Sequence, residues 1–230
     1  PDATIIEKMI RSQDLHYPRT GLICVENAHS NGKVIPLNTL QGIKKMAENH
    51  QIPVHMDGAR IFNAAVSLKA EAREIAACAD SVMFCLSKGL CAPVGSMLVG
   101  SESFIQRARK NRKIMGGAMR QAGLIGAPGI VALEKMTLRL DQDHQMAQYL
   151  AEKLSEINGV EVLKDQLDIN MVYCRISDLS APMSLVAHLQ QNGILVNPED
   201  DGLWRFVTHY WIGEKEIDLF VDTLKAFLSF

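Results

Sequence analysis

The 230-residue chain has no stretch of about 18 consecutive apolar residues, which excludes a helix that spans a membrane. No secretory signal pattern opens it. Its Lys and Arg residues are scattered, its net charge is -2, and it carries no RNA-binding motif, so nucleic acid is not an expected partner. None of its five cysteines, Cys24, Cys78, Cys85, Cys91 and Cys174, forms a C-x-x-C pair. Such an odd, dispersed set argues against a disulfide framework and against zinc. It reads as reduced packing cysteines in a reducing, cytoplasmic setting. Internal repeats and low-complexity segments are also missing. So is an initiator Met: the chain opens at Pro1, enters a polar helix at once and reaches its first core strand at Leu22, which reads as a cut end.

What is present is a 47% hydrophobic chain, long enough for one large or two small domains with a real core. Strand-like and helix-like runs alternate, the α/β signature. Gly21 to Glu26 reads as a buried strand. Asn38 can cap a helix with Leu40, Ile43, Met46 and Ala47 on one face. Strands at Val54–Met56 and Val82–Leu86 follow, separated by helical pieces around Ile61–Val66 and Ala70–Ala77. Ser96–Val99 is expected to return antiparallel after a tight turn. Ser101 should cap the basic helix 104–112. A helical tract runs from Met119 to about Ile157 with a break expected near Gly126–Gly129. Short strands at 160–163, 171–175, 194–196 and 203–207 then alternate with helices, one capped by Ser180 and a last one from Glu216 to Leu228. This change of character places a domain boundary near residue 135. The methionines Met115, Met119, Met136 and Met146 read as core filler.

The chemistry concentrates between Val54 and Val99. One apolar strand ends at Asp57, followed by Gly58-Ala59-Arg60. About one βα unit later a second ends at Ser87-Lys88-Gly89. An Asp after a strand often caps the next helix, and a Lys before Gly often sits in water. An acid and a lysine at the ends of neighbouring strands are also what a pyridoxal phosphate (PLP) site needs. The acid keeps the pyridine nitrogen protonated, and the lysine forms the Schiff base. In open α/β sheets the ligand crevice lies at the carboxyl ends of the strands.

Several blocks keep order and spacing along nearly the whole chain: Glu26-Asn27-Ala28-His29, Gly32-Lys33-Val34-Ile35-Pro36, His55-Met56-Asp57-Gly58-Ala59-Arg60-Ile61-Phe62-Asn63-Ala64, Cys85-Leu86-Ser87-Lys88-Gly89-Leu90, Ala92-Pro93-Val94-Gly95-Ser96, residues 112–123 from Arg112 through Arg120 to Gly123, and Arg205-Phe206-Val207-Thr208-His209. Together they resemble the low-specificity L-threonine aldolases, PLP-dependent enzymes of fold type I. The resemblance implies an incomplete three-layer large domain with a mainly parallel sheet, residues 1–135, and a small C-terminal α+β domain, residues 136–230. It implies Lys88 as the cofactor lysine, Asp57 as partner of the ring nitrogen, and Arg60 beside the phenolic oxygen and the substrate carboxylate. Arg205 would bind that carboxylate, a task suited to a guanidinium fork. Arg120, with Lys113, would approach the cofactor phosphate or a neighbouring active site, and His16 would lie near the substrate hydroxyl.

Alternatives stand beside each role. Arg60 could make a surface ion pair, Arg205 could lay its stem on Trp204 or Phe206, Arg120 could bond helix carbonyls, and His16 could be merely solvated. Glu26 and His29 could orient a loop, and His55 reads as a satisfied core histidine.

The implied reaction is retro-aldol cleavage of L-threonine or L-allo-threonine to glycine and acetaldehyde, without a metal, in a homo-oligomer, dimer or tetramer. Another β-eliminating PLP lyase, or a fragment inactive without its missing N-terminal segment or a partner chain, are the competing expectations. Two substitutions depart from the family pattern. Cys91 and Ala118 stand where glycine is usual, and Cys91 is tolerable in its turn if its φ stays negative.

Overall fold

The structure, a computed structural model, describes residues 2–177, 179 and 181–229. Its contacts divide the chain into two compact units, Pro1–His29 with Val34–Leu138, and Ser30–Lys33 with Arg139–Phe230. Among the described residues no helix is long and apolar enough to cross a membrane.

The first unit holds one sheet of β1 (Ile23–Glu26), β2 (Val54–Asp57), β3 (Ser81–Cys85) and β4 (Ser96–Gly100), in that order. The first three strands run parallel and β4 antiparallel. Connection length explains this: helices span the first two crossovers, whereas only a turn joins β3 to β4. After α1 (Ala3–Met9) and β1, helix α2 (Leu37–Asn49) buries Leu40, Ile43, Met46 and Ala47, as their helical spacing predicts. Helices α3 (Ile61–Leu68) and α4 (Ala72–Ala76) link β2 to β3. In β2 the side chains alternate, with Val54 and Met56 buried and His55 and Asp57 half-buried on the opposite face. Asp80 fixes the start of this strand: its Oδ2 accepts from Val54 N at 2.7 Å and its Oδ1 pairs with Lys44 Nζ at 2.7 Å. Helices α5 (Glu102–Ile114) and α6 (Gly123–Lys135) complete the unit.

The second unit has an antiparallel sheet of β5 (Val160–Val162), β6 (Met171–Ile176) and β7 (Trp204–Val207), in that order. Helices α7 (Leu140–Ser155), α8 (Pro182–Gln191) and α9 (Glu214–Leu228) supply Leu150, Leu154, Leu185, Leu189, Ile217, Phe220 and Leu224 to one core with Val172, Cys174, Trp204 and Phe206. Burial pushes the Cys174 thiol up to about 12, so it stays protonated. Ser30–Lys33 is held here by Tyr173 Oη donating to Ser30 O, by Asp168 N donating to Gly32 O at 3.2 Å, and by Lys33 Nζ on Asp165 at 3.0 Å. Gly32 has φ 87, and a Cβ there would collide with the Gln166 carbonyl.

Five expectations need correction. Asn38 does not cap α2: Pro36 is the N-cap, its carbonyl accepting from Leu40 N at 3.1 Å, and Asn38 lies in the first turn. The helical tract does not break near Gly126–Gly129. Helix α6 runs through Pro128, whose missing N–H leaves the carbonyl of Leu124, a residue 82% exposed, and the break falls in a 3₁₀ turn at Met136–Arg139. No strand forms at 194–196: Gly193 has φ 78, and Leu195 is 83% exposed with no sheet partner among the described residues. Met115 and Met119 are not core filler, since both are exposed in the connection after α5. Cys91 does not keep a negative φ; it adopts 58, in the left-handed region. Ser180, expected to cap the helix now seen as α8, lies outside the described residues.

Candidate active site

Strands β1 and β2 end at one level, and β3 runs two residues further, to Cys85. Glu26 of β1 is the register partner of Asp57, and Asp57 is that of Met83 in β3. The chain turns sharply just past Asp57, where Gly58 N donates to Met83 O at 2.7 Å. A Cβ on Gly58 would sit 2.9 Å from that carbonyl oxygen, so only glycine lets strand and turn approach this closely. The Asp57 carboxylate is half-buried. Its Oδ1 accepts from Ala59 N at 2.9 Å, and its Oδ2 makes no hydrogen bond among the described residues. Arg60 follows as the N-cap residue of α3, half-buried, its carbonyl accepting from Ala64 N at 3.0 Å.

Lys88 sits just beyond β3 in a turn closed by Leu86 N on Gly95 O at 3.0 Å, Ala92 N on Leu86 O at 2.9 Å and Cys91 N on Lys88 O at 2.9 Å. Its backbone is thus fixed, while its ammonium is exposed and makes no ion pair or side-chain hydrogen bond among the described residues. The structure therefore brings Asp57, Arg60 and Lys88 to the same end of one sheet. An acceptor at one strand end and an unengaged amine after the next are the donor set a pyridinium aldehyde requires, so these residues fit PLP.

The remaining expected residues sit on other elements of the chain. His16 is exposed in a turn, its backbone N–H donating to Asp14 Oδ1 at 2.8 Å. Arg120 is exposed in the connection between α5 and α6, beside Gln121 with φ 53. Arg205 belongs to the second unit, on β7 opposite Tyr173 of β6. Strand alternation puts Trp204 and Phe206, stacked at 6.2 Å, into the core and Arg205 on the other face, so its stem does not pack on them. A cavity of about 390 Å³ in this unit is lined by Arg205, His209, Asn197 and Glu216 above Ile212 and Phe220. His55 is half-buried, with Nδ1 2.8 Å from Ser81 Oγ on the neighbouring strand. His29 and Glu26 pair at 3.4 Å.

Asn27 was visible in the sequence only as part of a block. It is fully buried and ties the loop after β1: its Oδ1 accepts from Ile35 N at 2.9 Å, its Nδ2 donates to Ile35 O at 3.3 Å, and its backbone N–H donates to Asp57 O at 2.9 Å. Its signal was an amide directly after a strand-ending acid. The buried pair of Arg139 and Asp143 in the second unit had no sequence signal beyond their helical spacing.

The fold is that of fold-type-I PLP enzymes. It matches Leishmania major threonine aldolase with a TM-score of 0.76 at 21% identity, over 99% of this chain and 67% of that one. It matches a PLP-dependent aminotransferase from Streptococcus suis 89-1591 with a TM-score of 0.71 at 18% identity, over 100% of this chain and 61% of that one. In sequence, the beta-eliminating lyase family matches residues 1–177, and the chain belongs to that family. It is similar to low-specificity L-threonine aldolase 1 of Arabidopsis thaliana, 38% identical over 222 residues, or 94% of this chain and 62% of that protein. It is likewise similar to the low specificity L-threonine aldolase of Escherichia coli strain K12, 39% identical over 220 residues, or 96% of this chain and 64% of that protein. The chain thus spans less than two thirds of the length of these curated relatives.

Proposed function

We propose that this protein is a PLP-dependent carbon–carbon lyase that cleaves L-threonine or L-allo-threonine to glycine and acetaldehyde. One observation carries the reading. The acid–lysine pair stands at the carboxyl ends of parallel β2 and β3, in a chain 38% identical to a named threonine aldolase over 94% of its length. PLP, when bound, supplies the electron sink for the pair released from the Cα–Cβ bond.

The chain's own residues do the rest. Asp57 would keep the ring nitrogen of that cofactor protonated. Lys88 would hold the cofactor through its side-chain amine. Arg205 and Arg60 bind the substrate carboxylate and so orient the scissile bond. His16, directly or through water, takes the β-hydroxyl proton, and Arg120 binds phosphate. The rate arises from orientation and proton placement. The same reading makes the protein a cytoplasmic homo-oligomer, a dimer or tetramer, acting in glycine formation.

Borohydride reduction of the PLP-loaded protein followed by peptide mapping tests the site. The adduct is expected on Lys88, and an adduct elsewhere would refute the assignment. Product analysis tests the reaction. β-Elimination, which the family's description favours as a second reading, would instead give an oxo acid and ammonia.

A further inference from the structure

Among the described residues, two buried side-chain atoms lack a hydrogen-bond partner, Arg139 Nη1 and Asp143 Oδ2, and both belong to one ion pair. The pair closes at 2.7 Å through Arg139 Nη2 and Asp143 Oδ1, with the Asp143 side chain only 1% exposed. Burial pushes the Asp143 carboxyl above its usual value, against the pull of Arg139. A largely buried pair held against desolvation, with an unsatisfied hydrogen-bonding atom on each partner, is a poor source of stability. Its surroundings show what it organises.

Thr208 follows β7, three residues beyond Arg205, and is itself buried. Its Oγ1 donates to the Asp143 carbonyl at 2.6 Å. Its backbone N–H donates to Asn170 O at 3.1 Å, and Asn170 Nδ2 donates to Thr208 O at 2.6 Å. Two residues on, the Tyr210 ring lies 4.9 Å from the Arg139 guanidinium carbon. The exit of β7 is therefore held from two sides, by the start of α7 through Arg139 and the main-chain carbonyl of Asp143, and by Asn170 just ahead of β6. Strand β7 is only four residues long and, among the described residues, pairs with β6 alone. Arg205 makes no side-chain hydrogen bond or ion pair among the described residues, so its backbone alone sets its place.

We propose that Arg139 and Asp143, acting through Thr208, are positioning residues that hold the end of β7 and thereby aim Arg205 at the substrate carboxylate. The role given to Arg205 rests on the aldolase reading above. The pair touches no substrate; it limits how far the four-residue strand can twist or fray at its free end.

The test uses the intact PLP-loaded protein. Thr208→Val removes the hydroxyl and keeps the shape. It is expected to raise KM for L-threonine about tenfold with kcat within about twofold, because misaiming a carboxylate anchor weakens binding more than chemistry. Thr208→Ser should restore KM. Amide hydrogen exchange over residues 205–212 should quicken in Thr208→Val and not in Thr208→Ser. Tyr149→Phe, which removes the 2.8 Å hydrogen bond from Tyr149 to Asp218 between α7 and α9, reports what lost stability alone does. A KM change in Thr208→Val no larger than in Tyr149→Phe, with exchange unaltered, overturns the proposal. Should Thr208→Val fail to fold, Arg139→Lys is read on the same scale. Arg205→Lys separates the two ideas. If it leaves KM unchanged, the substrate role of Arg205 falls, while exchange at 205–212 still decides whether the clamp holds the strand.

Discussion

Residues 91–138 and residues 139–229 contrast sharply. Helix α5 has no buried residue, whereas α7, of similar length, buries Leu140, Asp143, Ala147, Leu150, Ala151 and Leu154. Strand β4 is exposed throughout, although it carries Met97, Leu98 and Val99, whereas β6 buries four consecutive residues. Both regions contain the apolar residues a core needs. The second closes three helices over one face of its sheet, and the first presents its apolar side chains to solvent. Helical periodicity reports local conformation, while burial depends on what surface lies opposite.

The largest expected effect comes from the closed side. Trp204 is 1% exposed, at the centre of the second unit. Trp204→Ala should cost about 3–5 kcal/mol in denaturant unfolding, by lost transfer energy and a residual cavity. A cost below about 1 kcal/mol would erase the contrast. Next is acid sensitivity. Burial lowers the His144 pKa from 6.5 to about 4, with Asp141 acting the other way. The folded form therefore binds fewer protons than the unfolded one. Stability is whole above about pH 6.5 and is lost as pH falls toward about 4, on the order of 3 kcal/mol in all. Denaturation midpoints at about pH 7.5 and about pH 4.5 should show this loss, and His144→Gln should flatten it.

Smaller effects sit on the open side. Cys91 holds φ 58 where a side chain crowds its own backbone. Cys91→Gly should therefore change stability by about +1 kcal/mol, less the entropy glycine loses on folding; a loss instead would mean the thiol packs favourably in its turn. The smallest change should follow Met115→Gln. Met115 is 85% exposed, so stability should move by no more than about 0.5 kcal/mol. A loss well above that, or a change in oligomeric state by light scattering, would show that this face is covered in solution.

The parallel sheet and its strand ends were legible because β2 and β3 are short apolar runs stopped by polar residues, a pattern with few other solutions. Leu40, Ile43, Met46 and Ala47 were legible through their 3.6-residue period, as were Ile217, Phe220 and Leu224. Pro128 misled because a proline disfavours a helix interior without always ending it, and here the residue whose carbonyl it frees, Leu124, is exposed. Ile194 to Val196 misled because an apolar triplet becomes a strand only with a ladder partner. The candidate site was legible as residue types, in that Asp57 ends β2 and Lys88 follows the neighbouring β3. The clamp on β7 was not, because Arg139, Asp143 and Thr208 meet only after α7 and β7 are placed.

The segment Ser30–Lys33 carries one more consequence. Because it belongs to the second unit while its neighbours on both sides belong to the first, the peptide passes between the units three times, at 29–30, 33–34 and 138–139. A single nick after Leu138 would therefore release no self-sufficient module. The fragment beginning at Arg139 would lack the strip that Tyr173, Asp165 and Asp168 grip, so dissecting this protein calls for a permuted or co-expressed design rather than one cut.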